Sequence, residues 1–169
     1  DLHSFPARRS SVLALPSEFK HLFFIEGCAL AVENALKVAF DWKVNKNIAA
    51  GIGNSETPIG SRVLHFEEAF HGRSGYTLSL TNTDPVKTDY FPKFDWPRVP
   101  NPKRRFPADQ NEVDRPETSE AECPEAMEAA FQHPPNAIAA LLLDPVHAQA
   151  VDTPLRPTSI ATLPEIPAR

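Results

Sequence analysis

Two short segments carry residues whose types and spacing are suited to holding a small molecule. The first is the turn Glu26-Gly27-Cys28-Ala29, which follows a predicted strand and opens a predicted long helix. Free backbone N–H groups and the partial positive charge at a helix N-terminus can hold a phosphate, and small residues let the anion approach. Any turn between a strand and a helix has this shape, so a purely structural role stays open. The turn matches neither a Walker A loop nor a GxGxxG fingerprint.

The second segment, FHGRSG at residues 70–75, follows another predicted strand. The ring of Phe70 can stack on a flat ligand. Gly72 permits unusual backbone angles, and Arg73 can clamp a carboxylate through two parallel hydrogen bonds. The alternative is an ordinary surface turn, with Phe70 in the core and Arg73 in solvent.

The order of predicted strands and helices around these segments indicates an α/β fold, with a mostly parallel sheet and flanking helices. Apolar runs predict buried strands, and apolar residues at spacings of three and four predict helices. In chain order we predict a strand at 21–25, a helix at 29–46, a loop at 45–60, a strand at 62–66, a helical turn at 76–80, a helix at 119–132 that has Pro124 in its first turn, and a strand at 137–143.

The long helix at 29–46 has one face that is predicted to be buried. That face is an apolar stripe that ends at one charged residue, Lys43. Its members are Val32, Leu36, Ala39, Phe40 and Lys43. On the outside, Glu33 and Lys37 have the spacing of an exposed ion pair between successive turns.

Proline and glycine divide the chain into halves of different character. Of the 18 prolines, only Pro6, Pro16 and Pro58 precede residue 84, which leaves 15 in the second half; all six glycines lie between residues 27 and 75. The second half therefore lacks the residue that phosphate loops normally use. We expect irregular chain at 84–116, one domain over residues 1–150, and a loosely ordered proline-rich tail at 151–169.

Charge and composition exclude several classes of function. A net charge of −5, from 17 basic and 22 acidic side chains, argues against nucleic acid as the main partner. No apolar run approaches the roughly 20 residues that span a bilayer, and no signal peptide is visible, so we expect no membrane partner and a cytoplasmic location. Cys28 and Cys123 are expected to be reduced. The scattered histidines predict no metal site.

A resemblance emerges when the motifs are taken together. The strings FFIEGCALAVENALKVAFDWK, FHGRSGYTLSLTNTDP and YFPKFDWPRVPNP, followed by AIAALLLDPV, resemble the lysine 6-aminotransferases, which are class III aminotransferases that use pyridoxal 5'-phosphate (PLP). The resemblance is dense over residues 23–102. It implies part of the large domain of a fold type I PLP transferase, with an incomplete sheet.

The resemblance implies roles for residues in both segments. Gly27, Cys28 and Ala29 would hold the cofactor phosphate, through the backbone N–H groups of Cys28 and Ala29. Phe70 would stack on the pyridine ring, and His71 would lie beside it. The family usually has glycine where Cys28 stands.

The resemblance also implies a substrate and a reaction. Arg73 would bind the α-carboxylate of L-lysine, which leaves the ε-amine near the cofactor for transfer to 2-oxoglutarate, in an enzyme that is a homodimer when complete. The family's Glu-Pro is Asp144-Pro145 here, and the family's glycine-rich continuation is replaced by HAQAV at 147–151. The Schiff-base lysine of the family would come after residue 169, so we expect no catalytic residue in this chain and no activity from the chain alone. A non-catalytic phosphate- or carboxylate-binding module and a truncated gene product without activity remain alternatives.

Overall fold

The fold is a small parallel sheet with helices on both faces. A computed structural model describes residues 21–101, 118–144, 146–147 and 153–154. The elements, in chain order, are α1 (Cys28–Ala49), β1 (Arg62–Phe66), α2 (Gly75–Leu80), a 3₁₀ turn (Pro85–Lys87), β2 (Arg98–Val99), α3 (Thr118–Gln132), β3 (Ile138–Leu142), β4 (Val146–His147) and β5 (Thr153–Pro154).

Strand β1 is the centre of the main sheet, whose order is β2-β1-β3. Both neighbours run parallel to it: His65 lies opposite Arg98 in β2, and Leu64 lies opposite Leu141 in β3. The predicted α/β fold with parallel strands is therefore confirmed. Because the strands are parallel, the segments that follow β1 and β3 emerge at the same edge of the sheet, beside the start of α1.

The two faces of β1 pack against different helices. Alternate residues of a strand point to opposite faces, and Leu64 and Phe66 enter the α3 side while Val63 enters the α1 side. The α3-side core also contains Val99, Cys123, Met127 and Ile138, and the α1-side core contains Leu36 and Leu80. The apolar stripe predicted on α1 is thus the face that packs on the sheet.

Helix α1 is longer than predicted, because a buried amide holds its last turn. The predicted loop at 45–60 is wrong for its first residues, since the helix continues to Ala49. The side chain of Asn47 is buried, and its Nδ2 donates to the carbonyl oxygens of Ile59 (2.8 Å) and Asn136 (3.0 Å). Asn47 therefore connects the end of α1 to the segments that enter β1 and β3.

The predicted strand at 21–25 is also wrong. These residues form no strand in the described part of the chain, and the side chains of Phe23 and Phe24 are 77% and 69% exposed. A strand requires a neighbour that accepts and donates backbone hydrogen bonds, and none of the described strands pairs with this run. Apolar composition alone was therefore not enough to predict a strand at residues 21–25.

The second half contains the predicted helix and strand, with differences at their ends. Helix α3 begins at Thr118, so Pro124 lies inside the helix instead of in its first turn, where it was predicted. Strand β4 pairs antiparallel with β5, and the predicted domain boundary at residue 150 falls outside the described residues. Across the described part of the chain, every helix is too short or too polar to span a bilayer.

Candidate functional site

The candidate site lies where β1 and β3 end. The chain leaves β1 at Phe66 and reaches Phe70, whose side chain is 37% exposed, and then His71, which is buried. Asp144 follows β3, and its Oδ2 lies 3.6 Å from Nδ1 of His71. A half-exposed aromatic ring therefore stands next to a buried imidazole that is in contact with a carboxylate.

The start of α1 lies directly against this loop. Gly72 has a φ of +121°, and a Cβ added there would lie 2.6 Å from Cβ of Ala29 and 2.8 Å from Oγ1 of Thr77. Glycine is required at this position both for its backbone angle and for its lack of a side chain. The two segments that the sequence singled out, 40 residues apart, are thus in contact at one place.

The N-terminus of α1 has the features of an anion site. Gly27 is its N-cap residue, with a φ of +84°; none of the described side chains caps the helix, and its first turn contains no acidic residue. In the described part of the chain, no atom would lie within 4 Å of a Cβ at Gly27, so none of these residues blocks the approach to this helix end on that side. The first backbone N–H groups of a helix have no partner inside it, and those of Cys28 and Ala29 fit a phosphate group.

The loop after β1 is held by two polar residues that the sequence analysis did not single out. The backbone N–H of His71 donates to Oγ1 of Thr81 (3.0 Å), and the Thr81 hydroxyl donates to the carbonyl oxygen of Gly72 (2.6 Å). The side chain of Asn82 donates to the carbonyl oxygen of Phe66 (3.2 Å). Two polar residues directly after a short helix were the only indication of this role in the sequence.

Glu33 has a different partner from the one the sequence predicted. The expected ion pair with Lys37 is wrong: Glu33 is buried and its Oε1 accepts hydrogen bonds from Ser74 Oγ (2.9 Å), Tyr76 N (2.7 Å) and Thr77 N (3.2 Å). The free N–H groups at the start of α2 offer a carboxylate better bonds than an exposed lysine does.

Beneath the loop, β1 contributes a histidine that is neutral near pH 7. His65 is fully buried, and its Nε2 accepts a hydrogen bond from Nε of Arg98 (3.1 Å). Burial, and then the positive charge of Arg98, lower the pKa of His65 from 6.5 to about 4. His65 therefore adds no positive charge beside that of Arg98 near pH 7.

Both cysteines are free, as predicted. Cys28 is exposed at the start of α1. Cys123 is buried in the core of α3, and its burial raises the pKa of its thiol to about 11. The two thiols lie in different parts of the fold and form no disulfide with each other.

The arrangement brings most of the predicted site residues to one edge. Ala29 contacts the loop at Gly72, and His71 contacts Asp144. Arg73 is exposed in the same loop, and no described residue forms an ion pair with it. The residues fit a flat ligand with a phosphate at one end, together with a carboxylate-bearing molecule near Arg73.

Comparison with known proteins identifies the family of this chain. The aminotransferase class-III family profile matches residues 8–169. The chain is 49% identical to an L-lysine-epsilon aminotransferase of Mycobacterium tuberculosis over 146 residues, which are 86% of this chain and 31% of that protein. A relative of the same description from Amycolatopsis lactamdurans is 48% identical, over 78% of this chain and 28% of its own length.

Solved structures show the same relationship. The lysine aminotransferase of Mycobacterium tuberculosis superposes with a TM-score of 0.76 at 46% identity, covering 92% of this chain and 35% of that one. An omega-transaminase from Thermomicrobium roseum shares the fold, with a TM-score of 0.59 at 22% identity, over 81% of this chain and 28% of that one. This chain spans about a third of the length of the relatives it matches. By sequence and by fold, it belongs to the class-III aminotransferase family.

Proposed function

We propose that this chain forms one side of a PLP pocket in an aminotransferase that moves the ε-amino group of L-lysine to 2-oxoglutarate. The observation that carries the proposal is the contact between Ala29 and Gly72, because it joins an open helix N-terminus to the loop that bears Phe70 and Arg73. The relatives described above are L-lysine-epsilon aminotransferases, and this supports the choice of substrate.

The chain's own residues would hold the cofactor from two directions. The backbone N–H groups of Cys28 and Ala29 would bind the phosphate, assisted by the partial positive charge of α1. The half-exposed ring of Phe70 would cover one face of the pyridine ring. When bound, PLP supplies the electron sink and the carrier of the amino group.

His71 and Asp144 would set the electrostatics at the edge of the ring. Oδ2 of Asp144 lies 3.6 Å from Nδ1 of His71, so the carboxylate would hold this edge of the imidazole toward it. The hydroxyl of Thr81 accepts a hydrogen bond from the backbone N–H of His71, which fixes the backbone position from which the imidazole extends. This pair would thus place an imidazole and a carboxylate at fixed positions beside the cofactor.

Arg73 would select the substrate by its carboxylate. A guanidinium binds a carboxylate through two parallel hydrogen bonds, which fix direction as well as distance. If the α-carboxylate of lysine is held there, the chain length of lysine leaves its terminal amine toward the cofactor. 2-Oxoglutarate also carries carboxylates that the same guanidinium can bind.

The complete protein would be a cytoplasmic homodimer. The exposed aromatic side chains of Phe23, Phe24, Phe91 and Phe94 support burial of this surface against further protein. A partner subunit and the remainder of the domain are both suitable partners for this surface.

A binding experiment on the chain tests the proposal. Quenching of tryptophan fluorescence by PLP and by pyridoxal gives two affinities, and competition of inorganic phosphate with PLP gives a third. We expect PLP to bind most tightly and phosphate to compete with it. Phe70→Ala should weaken PLP about tenfold and leave phosphate unchanged, since loss of a stacked ring costs about 1–1.5 kcal/mol. Phe91→Ala, an exposed phenylalanine outside the site, is the control.

Two results would contradict the proposal. Equal affinity for PLP and pyridoxal would mean that no phosphate site exists at α1. Binding of PLP that is indifferent to Phe70 but lost in Arg73→Ala would favour a module that binds anions without a ring site, which is the alternative function.

A further inference from the structure

The buried carboxylate of Glu33 joins α1 to the loop that carries Arg73. Glu33 lies in the first half of α1, and its three hydrogen-bond donors belong to Ser74 and to the first turn of α2. Its Oε1 and Oε2 lie 3.6 and 3.8 Å from where a Cβ of Gly75 would be. The carboxylate therefore caps α2 from a different helix, across a gap of more than 40 residues in the sequence.

Glu33 and Ala29 act on the same stretch of chain from the same face of α1. They are four residues apart, and residues at that spacing lie one above the other on a helix. Ala29 contacts Gly72, and Glu33 holds Ser74. Arg73 is thus flanked on both sides by contacts to α1.

The side chain of Glu33 therefore affects the distance between two proposed binding elements, the start of α1 and the loop at 70–74. The phosphate-binding N–H groups belong to the start of α1, whereas the ring and carboxylate contacts belong to the loop at 70–74. Thr81 holds the loop through Gly72 from the sheet side, but only Glu33 reaches Ser74 from α1. A change at Glu33 should therefore alter the loop relative to the helix end and leave the helix end itself intact.

We propose that Glu33 is a positioning residue that sets the loop of Phe70 and Arg73 at the correct distance from the phosphate-binding end of α1. The inference rests on the proposed PLP site and adds to it the residue that keeps its two halves in register. A ligand that contacts both halves depends on Glu33. A ligand that contacts only the helix end does not.

The test compares two ligands in two variants. Glu33→Gln keeps the size of the side chain but loses the charge that strengthens all three hydrogen bonds. Asp41→Asn is the matched control, since it removes one carboxylate from an exposed position on the same helix. We expect Glu33→Gln to bind PLP about tenfold more weakly, with phosphate affinity changed less than about twofold, and Asp41→Asn to change neither.

Amide hydrogen exchange gives a second measurement. Tyr76 and Thr77 should exchange about tenfold or more faster in Glu33→Gln than in the control, as their acceptor is weakened. Should Glu33→Gln not fold, Ser74→Ala removes one donor and leaves the two amides to satisfy the carboxylate. This variant should lose about threefold in PLP affinity, with phosphate affinity unchanged.

The outcomes separate the inference from the proposed function. A wild-type chain that binds PLP no better than phosphate overturns the proposed PLP site and the inference with it. A wild-type chain that prefers PLP, and whose preference survives in Glu33→Gln and Ser74→Ala, overturns the positioning role alone. The same holds if amide exchange is faster but the preference is unchanged, since Glu33 is then only a structural cap. Loss of phosphate and PLP affinity in equal proportion also overturns the positioning role.

Discussion

Replacement of Gly72 by alanine should separate α1 from the candidate loop. The added methyl group would lie 2.6 Å from Cβ of Ala29 and 2.8 Å from Oγ1 of Thr77, well inside van der Waals contact. Overpacking of this kind costs about 1–3 kcal/mol. A φ of +121° is also unfavourable for alanine and adds about 1–3 kcal/mol. We therefore expect Gly72→Ala to lower the free energy of unfolding by about 2–6 kcal/mol.

Gly51→Ala is the control that isolates the packing contribution. Gly51 also has a positive φ, +76°, but a Cβ there would have no neighbour within 4 Å among the residues that the structure describes. It should cost only the strain of a left-handed residue, about 1–2 kcal/mol. Both substitutions change the entropy of the unfolded chain alike, so the difference between them, about 1–3 kcal/mol, comes mainly from overpacking between α1 and the loop.

Urea unfolding followed by tryptophan fluorescence provides the assay, with PLP affinity measured in parallel. Gly72→Ala should unfold at lower urea than Gly51→Ala and should also lose more PLP affinity. If both glycine variants lose the same stability and the same affinity, then the two segments do not depend on their contact. The structural basis of the proposed site would then be wrong.

Three other substitutions or conditions test separate parts of the structure. The pKa of His65 is about 4 in the folded chain against 6.5 when exposed, so the unfolded chain takes up this proton first as the pH falls. The free energy of unfolding should therefore fall by about 3 kcal/mol between pH 6.5 and 4. In urea unfolding, the difference in stability between wild type and His65→Gln should vary with pH in that window and be constant above it. Asn47→Ala should cost about 2 kcal/mol in urea unfolding, since two buried carbonyl oxygens lose their donor, whereas Asn34→Ala, which loses only a local bond within the same helix, should cost less than 1 kcal/mol. A thiol reagent at pH 8 should label exposed Cys28 quickly and Cys123 at a rate limited by unfolding; mass spectrometry of the peptides would contradict the buried assignment if both were labelled equally.

Elements that depend on their own periodicity could be predicted from the sequence. The apolar stripe of α1, the strand at Arg62–Phe66 and the helix that ends at Gln132 were located within a few residues, because their patterns repeat along the chain. The motif strings around FHGRSG also allowed the family to be identified before any geometry was available. Agreement between local pattern and fold is strongest in these segments.

Elements that depend on a partner could not be predicted. Strand β2 is only Arg98–Val99 and exists because β1 offers it hydrogen bonds. The run at 21–25 has a stronger apolar pattern and forms no described strand. Glu33 had an equally good local partner in Lys37, and only the position of α2 shows why it turns inward.

The amino-acid sequence by itself determined the fold class and the family, and it singled out the two segments proposed to hold a ligand, since these depend on residue types in order along the chain. The tertiary structure alone decided that Ala29 meets Gly72, that His71 meets Asp144 and that Glu33 caps α2. Contacts between residues 40 or more positions apart depend on how helices pack on the sheet, and that packing is a property of the whole fold instead of any one segment.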